Sequence, residues 1–178
     1  GFSSIITRVT FPVFSTIQDD SNRLKRGMRK VVTTMALVNF PLMIGLAVVA
    51  KPLVLVLLTD TWLPSVPYLQ LLCGVGFLYP FHVINLNVLH AQGRADLHLR
   101  LAYIKLSISS VNILILYQWG IIAMIYGRIV TSCICYYLNV FYTNKMLDYP
   151  FTEQVRDVFP SFCLSCLMGG VIYALNSI

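Results

Sequence analysis

The 178-residue chain is 57% hydrophobic and only 11% charged, with a formal net charge of +6 and a mean hydropathy of +0.75. Soluble domains carry roughly 25% charged residues, and here the apolar content runs along almost the whole length. That excludes a soluble enzyme, a disordered chain and a secreted disulfide scaffold, and it points to an integral membrane protein.

Taken in chain order, residues 1–17 read as the tail of an incoming helix, and the chain as a fragment of a longer one. Residues 18–30 read as a cytoplasmic basic loop. Five of the thirteen basic residues fall there: Arg23, Lys25, Arg26, Arg29 and Lys30. A nucleic-acid module needs a basic face on a water-exposed body, which this chain lacks. Anionic membrane lipids are the partner the cluster implies, and nucleic acid is excluded. From residue 31 onward, runs of 16 to 33 residues free of Asp, Glu, Lys and Arg recur, on the scale of the ~20 apolar residues a helix needs to cross ~30 Å of hydrocarbon. They predict five transmembrane helices, near 31–50, 64–91, 98–118, 120–143 and 158–178, with Gln118-Trp119-Gly120 as a turn. The runs are continuously apolar without period-2 alternation, so a β-barrel is excluded. The expected fold is an all-α multi-helix membrane bundle.

Shorter features refine this picture. Pro52–Leu58 is too short to cross; it is either a continuation of the preceding helix kinked at Pro52 or a half-helix against the outer leaflet. Pro41 and Pro80 lie within spans, where each frees a carbonyl that needs another partner. In the turn after the second span, Gly93 suits a helix C′ position and Asp96 an N-cap. The five cysteines read as helix-packing residues, including Cys163 and Cys166 despite their redox-motif spacing. Alternating the connections puts residues 18–30, 92–105 and 144–157 on one side with ten basic residues, against Lys51 alone on the other. The first set is therefore read as cytoplasmic, which puts Trp62 and Trp119 at the outer interface.

Reactive chemistry is sparse. All seven acids fall in the predicted connections, so the spans hold neither an acid–base carboxylate pair nor a proton-relay carboxylate. His82, His90 and His98 lack metal-ligand spacing and read as packing and interface residues. No metal, cofactor or catalytic residue is expected. Arg128 is the most pointed residue, lying about 12 Å down its helix from Gly120 at 1.5 Å per residue. Either it snorkels to the surface, or it faces a cavity and grips an anionic group such as phosphate in a bidentate way. Arg8 carries the same ambiguity. Asn39, Asn85, Asn87, Asn112 and Asn139 also lie in spans, where amides either glue helices together or line a sugar-facing cavity. Arg128, Arg8, Asn39, Asn85 and Asn87 are the cavity candidates. His82 and Asn85, three apart, share a helix face.

Several blocks carry a family resemblance. They are the stretch from Arg8 to Leu24, Phe40-Pro-Leu-Met-Ile-Gly-Leu, Trp62-Leu-Pro-Ser-Val-Pro-Tyr-Leu-Gln-Leu-Leu-Cys, Leu86-Asn-Val-Leu-His-Ala-Gln-Gly-Arg, Tyr142-Thr-Asn-Lys-Met-Leu and Gln154-Val-Arg-Asp-Val-Phe-Pro followed by Met168-Gly-Gly. The sequence resembles bacterial polysaccharide exporters of the O-antigen and teichuronic-acid flippase type, in the multidrug/oligosaccharidyl-lipid/polysaccharide superfamily. The resemblance implies that this chain is part of the second lobe of a two-lobed MATE-like transporter in the bacterial inner membrane. That protein would move an isoprenoid-pyrophosphate-linked glycan by alternating access, without covalent chemistry, for lipopolysaccharide, capsule or exopolysaccharide synthesis, beside other polysaccharide-assembly proteins. Alternatives are the same scaffold carrying a lipid-linked cell-wall precursor or a drug, a membrane-embedded polysaccharide polymerase or glycosyltransferase, and a non-catalytic scaffold.

Overall fold

The computed structural model describes residues 12–17 and 20–176. Residues 12–16 are helical, and the main elements follow from Ser21. They are α1 (Ser21–Val48), α2 (Ala50–Leu58), a 3-10 segment (Asp60–Ser65), α3 (Val66–Ala91), α4 (Ala95–Leu116), a 3-10 turn (Tyr117–Trp119), α5 (Ile121–Leu147) and α6 (Phe151–Asn176). No strand occurs among the described residues, and five of the helical stretches are long and apolar enough to cross a membrane.

The long helices pack side by side in the order α6–α1–α3–α5–α4, with α4 at one margin and the least buried of the five. On α1 the buried residues Leu24, Met28, Val32, Ala36 and Phe40 recur every four positions, which makes one continuous seam. Its main partner α6 turns Ser161, Ser165 and Gly169 inward at the same spacing. Small residues let two helices approach closely in lipid; a Cβ at Gly169 would run into Ile44. Phe40, Phe77, Phe81, Phe162 and Tyr136 fill the centre with edge-on and tilted ring contacts at 5.4–6.3 Å. Large apolar side chains such as Leu114, Leu106, Leu167 and Tyr173 remain more than half exposed, as lipid-facing residues should. The polypeptide is a multi-pass membrane protein.

Charged residues sit in helices more often than the span rule allows. The segment from Ser21 to Lys30, expected as loop, is the beginning of α1. With 28 residues, α1 is about 42 Å long at 1.5 Å per residue. Its first turns therefore project beyond ~30 Å of hydrocarbon. Asp20 caps it, accepting from the backbone N–H groups of Asn22 and Arg23 at 3.0 Å. Likewise most of 144–157 is helical: α5 runs to Leu147 and α6 begins at Phe151. These two extensions clasp each other. Lys25 pairs with Glu153 at 3.1 Å and also donates to the Asp148 carbonyl; Arg29 pairs with Asp157 at 2.5 Å. The four-residue step from Lys25 to Arg29 matches that from Glu153 to Asp157, so α1 and α6 run parallel. Basic residues at a helix N-terminus oppose its dipole, and the acids of α6 offset that cost.

Tyr149, in the short α5–α6 connection, is fully buried and donates to Asp157 at 2.8 Å. Burial first, and then the bond and charge of Asp157, hold its phenol well above the usual tyrosine range, so it stays a neutral donor. Gln154 completes the cluster, accepting from Tyr136 at 2.8 Å and donating to the Tyr149 carbonyl at 3.3 Å. Because Arg29 is half exposed, the expected loss for Asp157→Ala is only about 1–2 kcal/mol. Thermal unfolding in detergent of Asp157→Ala, Arg29→Ala and the double variant measures this, with the double variant expected to lose less than the sum.

The remaining local expectations divide. Pro52–Leu58 lies in a separate short helix: α1 stops at Val49, which has left helical geometry, and Pro52 occupies the first turn of α2, where its missing N–H costs nothing. After α3, Gly93 has φ +70°, and the N–H groups of Gly93 and Arg94 bond the carbonyls of His90 and Leu89 at 3.0 and 3.1 Å. That is a Schellman cap with Gly93 at C′. Asp96 is not the N-cap of α4. Arg94 holds that position, and Asp96 sits in the first turn, where it offsets the dipole and accepts from Arg94 Nε at 3.3 Å. Gly93→Ala should lower stability by about 1 kcal/mol through the positive φ alone, a loss that thermal unfolding would register.

Candidate functional site

Helices α4 and α5 differ from α1 in that the cations along them form no ion pair among the described residues. Their close approach starts from Gly127, where any side chain would collide with Leu116 and the Asn112 amide. One turn further on, Asn112 of α4 donates to Thr131 of α5 at 3.0 Å. Above this bond, Leu72 of α3, Ser109 of α4 and Ile125, Arg128 and Thr131 of α5 surround a pocket of about 520 Å³. That volume falls in the range of small-molecule sites. Arg128 donates to Ser109 at 3.3 Å. Its guanidinium has five N–H donors, and no carboxylate pairs with it among the described residues. Arg128 thus lines a pocket between three helices, with its charge unmatched.

The polar track continues inward along α5. Beside Thr131, Ser132 makes a 3.1 Å hydrogen bond with His82 Nε2 of α3, and Asn139 donates to His82 Nδ1 at 3.0 Å. Lys105 belongs to the same region. It was counted with the connection at 92–105, yet it is the eleventh residue of α4, about 15 Å along at 1.5 Å per residue. It is half-buried. Two cations without ion-pair partners among the described residues, half-buried Lys105 of α4 and exposed Arg128 of α5, therefore lie on this margin of the bundle.

The other candidates have mixed fates. Asn39 is nine-tenths buried and donates to the carbonyls of Gly76 and Phe77 at 3.3 and 3.2 Å. Pro80 has no N–H for the carbonyl of Gly76, four residues earlier, so Asn39 supplies the partner this proline requires. Asn85 is fully buried and donates to the Phe81 carbonyl of its own helix at 2.9 Å, while its Oδ1 has no donor. Asn87 is buried in α3. Arg8 lies outside the described residues. His90 and His98 meet in a tilted ring contact with centroids 4.2 Å apart because the Gly93 turn folds α4 back beside α3. All five cysteines are free; Cys73 and Cys135 pack inside, while Cys133, Cys163 and Cys166 are exposed. No group of three or more metal-ligating side chains occurs among the described residues. Of the lipid-facing cluster, Lys25 and Arg29 are taken up by α6 and Arg23 by Asp20 at 3.3 Å, which leaves Arg26 and Lys30 the freest to meet head groups.

Sequence reasoning missed Lys105, Ser109, Thr131 and Ser132. A signal was present: Arg128, Thr131, Ser132, Cys135 and Asn139 mark one face of α5 at three- and four-residue steps.

A family model described as "Polysaccharide biosynthesis protein" matches residues 1–67. An uncharacterized membrane protein in the cps region of Klebsiella pneumoniae is 33% identical over 98% of this chain and 41% of its own length. The lipopolysaccharide biosynthesis protein WzxC of Escherichia coli is 32% identical over 97% of this chain and 35% of its own. Over nearly its whole length the chain is similar to membrane proteins of polysaccharide biosynthesis. The teichuronic acid biosynthesis protein TuaB of Bacillus subtilis is also similar, 39% identical over 52% of the chain and 19% of its own length. The chain spans about two fifths or less of the length of each of these relatives. No solved structure matches the chain.

Proposed function

We propose that the protein containing this chain carries lipid-linked polysaccharide repeat units across the bacterial inner membrane. The observation that carries this reading is Arg128, unmatched by any described acid, which with Ser109, Asn112 and Thr131 puts a polar patch in the wall of an otherwise largely apolar pocket. A glycan joined to an isoprenoid through pyrophosphate cannot cross ~30 Å of hydrocarbon unaided, because its hydroxyls and phosphoryl oxygens lose hydration at a cost of several kcal/mol per group. A guanidinium grips a phosphoryl group through two parallel N–H bonds. Ser109, Asn112 and Thr131 offer hydroxyl and amide partners for what surrounds it. The isoprenoid tail stays in lipid throughout.

The cationic lining argues against the same scaffold carrying a cationic drug, for which carboxylates are the matching groups. No bond is made or broken in this account, so the protein acts as a transporter and not as an enzyme. Relatives named for lipopolysaccharide and teichuronic acid biosynthesis support a glycan cargo. The exposed Arg26 and Lys30, on the side read as cytoplasmic, meet anionic lipid, and other assembly proteins supply and consume the repeat unit. Cells lacking the full-length protein should accumulate lipid-linked repeat units accessible only from the cytoplasmic face of isolated membranes. Units found equally on both faces would refute the proposal.

A further inference from the structure

Along α4 from Leu101 to Leu116, the residues that are not exposed are Leu101, Lys105, Ile108, Ser109, Asn112 and Leu116. Steps of three and four place them on one face, and that face meets α5 through Ser109 and Asn112. Lys105 thus lies in the seam and not on the lipid side. It pairs with no acid among the described residues. A cation at this depth in a membrane helix is costly and typically serves an ion or substrate path.

Arg128 leans toward it. Helices α4 and α5 are joined by the short turn at Tyr117–Trp119 and run antiparallel. Their register follows from two contacts: Asn112 donates to Thr131 at 3.0 Å, and Gly127 faces Asn112 and Leu116. The backbone of Arg128 is therefore level with residues 113–115 of α4. Its guanidinium nonetheless meets Ser109 at 3.3 Å, about five residues or roughly 7 Å nearer the end read as cytoplasmic, at 1.5 Å per residue. Helix side chains ordinarily lean toward the N-terminus, which in α5 is the end read as outer. An arginine reaching for the outer surface would follow that lean. Arg128 reaches the opposite way, down the seam, and Lys105 lies one turn beyond Ser109.

We propose that Lys105 and Arg128 form a two-point receptor for a diphosphate, with Lys105 setting the preference for a diphosphate over a monophosphate ester. One helical turn is ~5.4 Å, a spacing on the scale of two phosphoryl groups joined through one bridging oxygen. The Arg128 fork takes one phosphoryl group with parallel N–H bonds, and Ser109 steadies that fork. The Lys105 ammonium takes the other as a compact point charge with rotatable donors. A diphosphate diester carries two negative charges and matches both cations; a monophosphate diester carries one and leaves Lys105 unmet. The inference rests on the anion-binding reading of the Arg128 pocket.

The test uses the full-length protein in lipid nanodiscs and two ligands with the same short prenyl chain and sugar. One is joined through diphosphate, the other through monophosphate. Titration calorimetry should show the wild type binding the diphosphate tighter by about tenfold or more. Lys105→Gln should weaken the diphosphate about tenfold and leave the monophosphate within about twofold, so that the preference disappears. Lys105→Arg should keep the preference, which separates the charge from the packing of the side chain. Arg128→Gln should weaken both ligands. Equal wild-type affinity for the two ligands, an equal loss for both in Lys105→Gln, or an unchanged preference in that variant would overturn the role of Lys105 while leaving the pocket standing. Binding of both ligands unaffected by Arg128→Gln would instead overturn the pocket reading.

Discussion

Arg128→Gln should cut surface polysaccharide at least tenfold in cells whose membranes contain the variant at the wild-type level. A tenfold loss corresponds to ~1.4 kcal/mol, a modest demand on a guanidinium that meets phosphate through charge-assisted bonds in a low-dielectric pocket. Arg128→Lys should retain part of the activity, because an ammonium keeps the charge but not the fork of parallel donors. Ser109→Ala should cost little, since it removes a single 3.3 Å bond that only steadies the side chain. Immunoblots of membranes and quantified polysaccharide from the same cultures separate lost transport from lost protein. Unchanged output in Arg128→Gln would mean that the guanidinium merely reaches toward the membrane surface.

The second large effect concerns Asn39. Replacing it with Leu keeps the size of the side chain and strands the Gly76 carbonyl, which Pro80 leaves without its helical donor and Asn39 serves at 3.3 Å. In lipid no water reaches that oxygen, and an unsatisfied buried polar group costs about 1–3 kcal/mol. The physical cause is Pro80, so the remedy should lie there: in Asn39→Leu/Pro80→Ala the new Ala N–H returns to the Gly76 carbonyl within α3. The double variant should therefore unfold closer to wild type than Asn39→Leu does. Thermal unfolding of the four proteins in detergent measures the cycle. Additive losses would show that Asn39 does not act through the proline.

How much of this was legible depended on the kind of signal. The helices were visible because unbroken apolar runs have one meaning at bilayer length, and Arg128 because a charge at that depth demands an explanation. Pro80 announced an unmet carbonyl, but not that Asn39, some forty residues away in sequence, would meet it. Residues 20–30 and 151–157 were read as loops because a rule that stops at the first charge cannot see a helix continuing into water. There Asp20 and the parallel pairs Lys25–Glu153 and Arg29–Asp157 sustain it. Lys105 was assigned to a connection by the same rule. The His82–Ser132–Asn139 group was hidden for a different reason: α3 and α5 lie side by side, and nothing local in either sequence fixes their register.

The most direct test of transport itself uses full-length protein reconstituted into vesicles with a fluorescent short-chain prenyl pyrophosphoryl oligosaccharide confined to one leaflet. Movement to the other leaflet should be fast with the wild type and near the protein-free rate with Arg128→Gln. Wild-type vesicles no faster than empty ones, or equal speed in the two proteins, would contradict the proposed role of these helices.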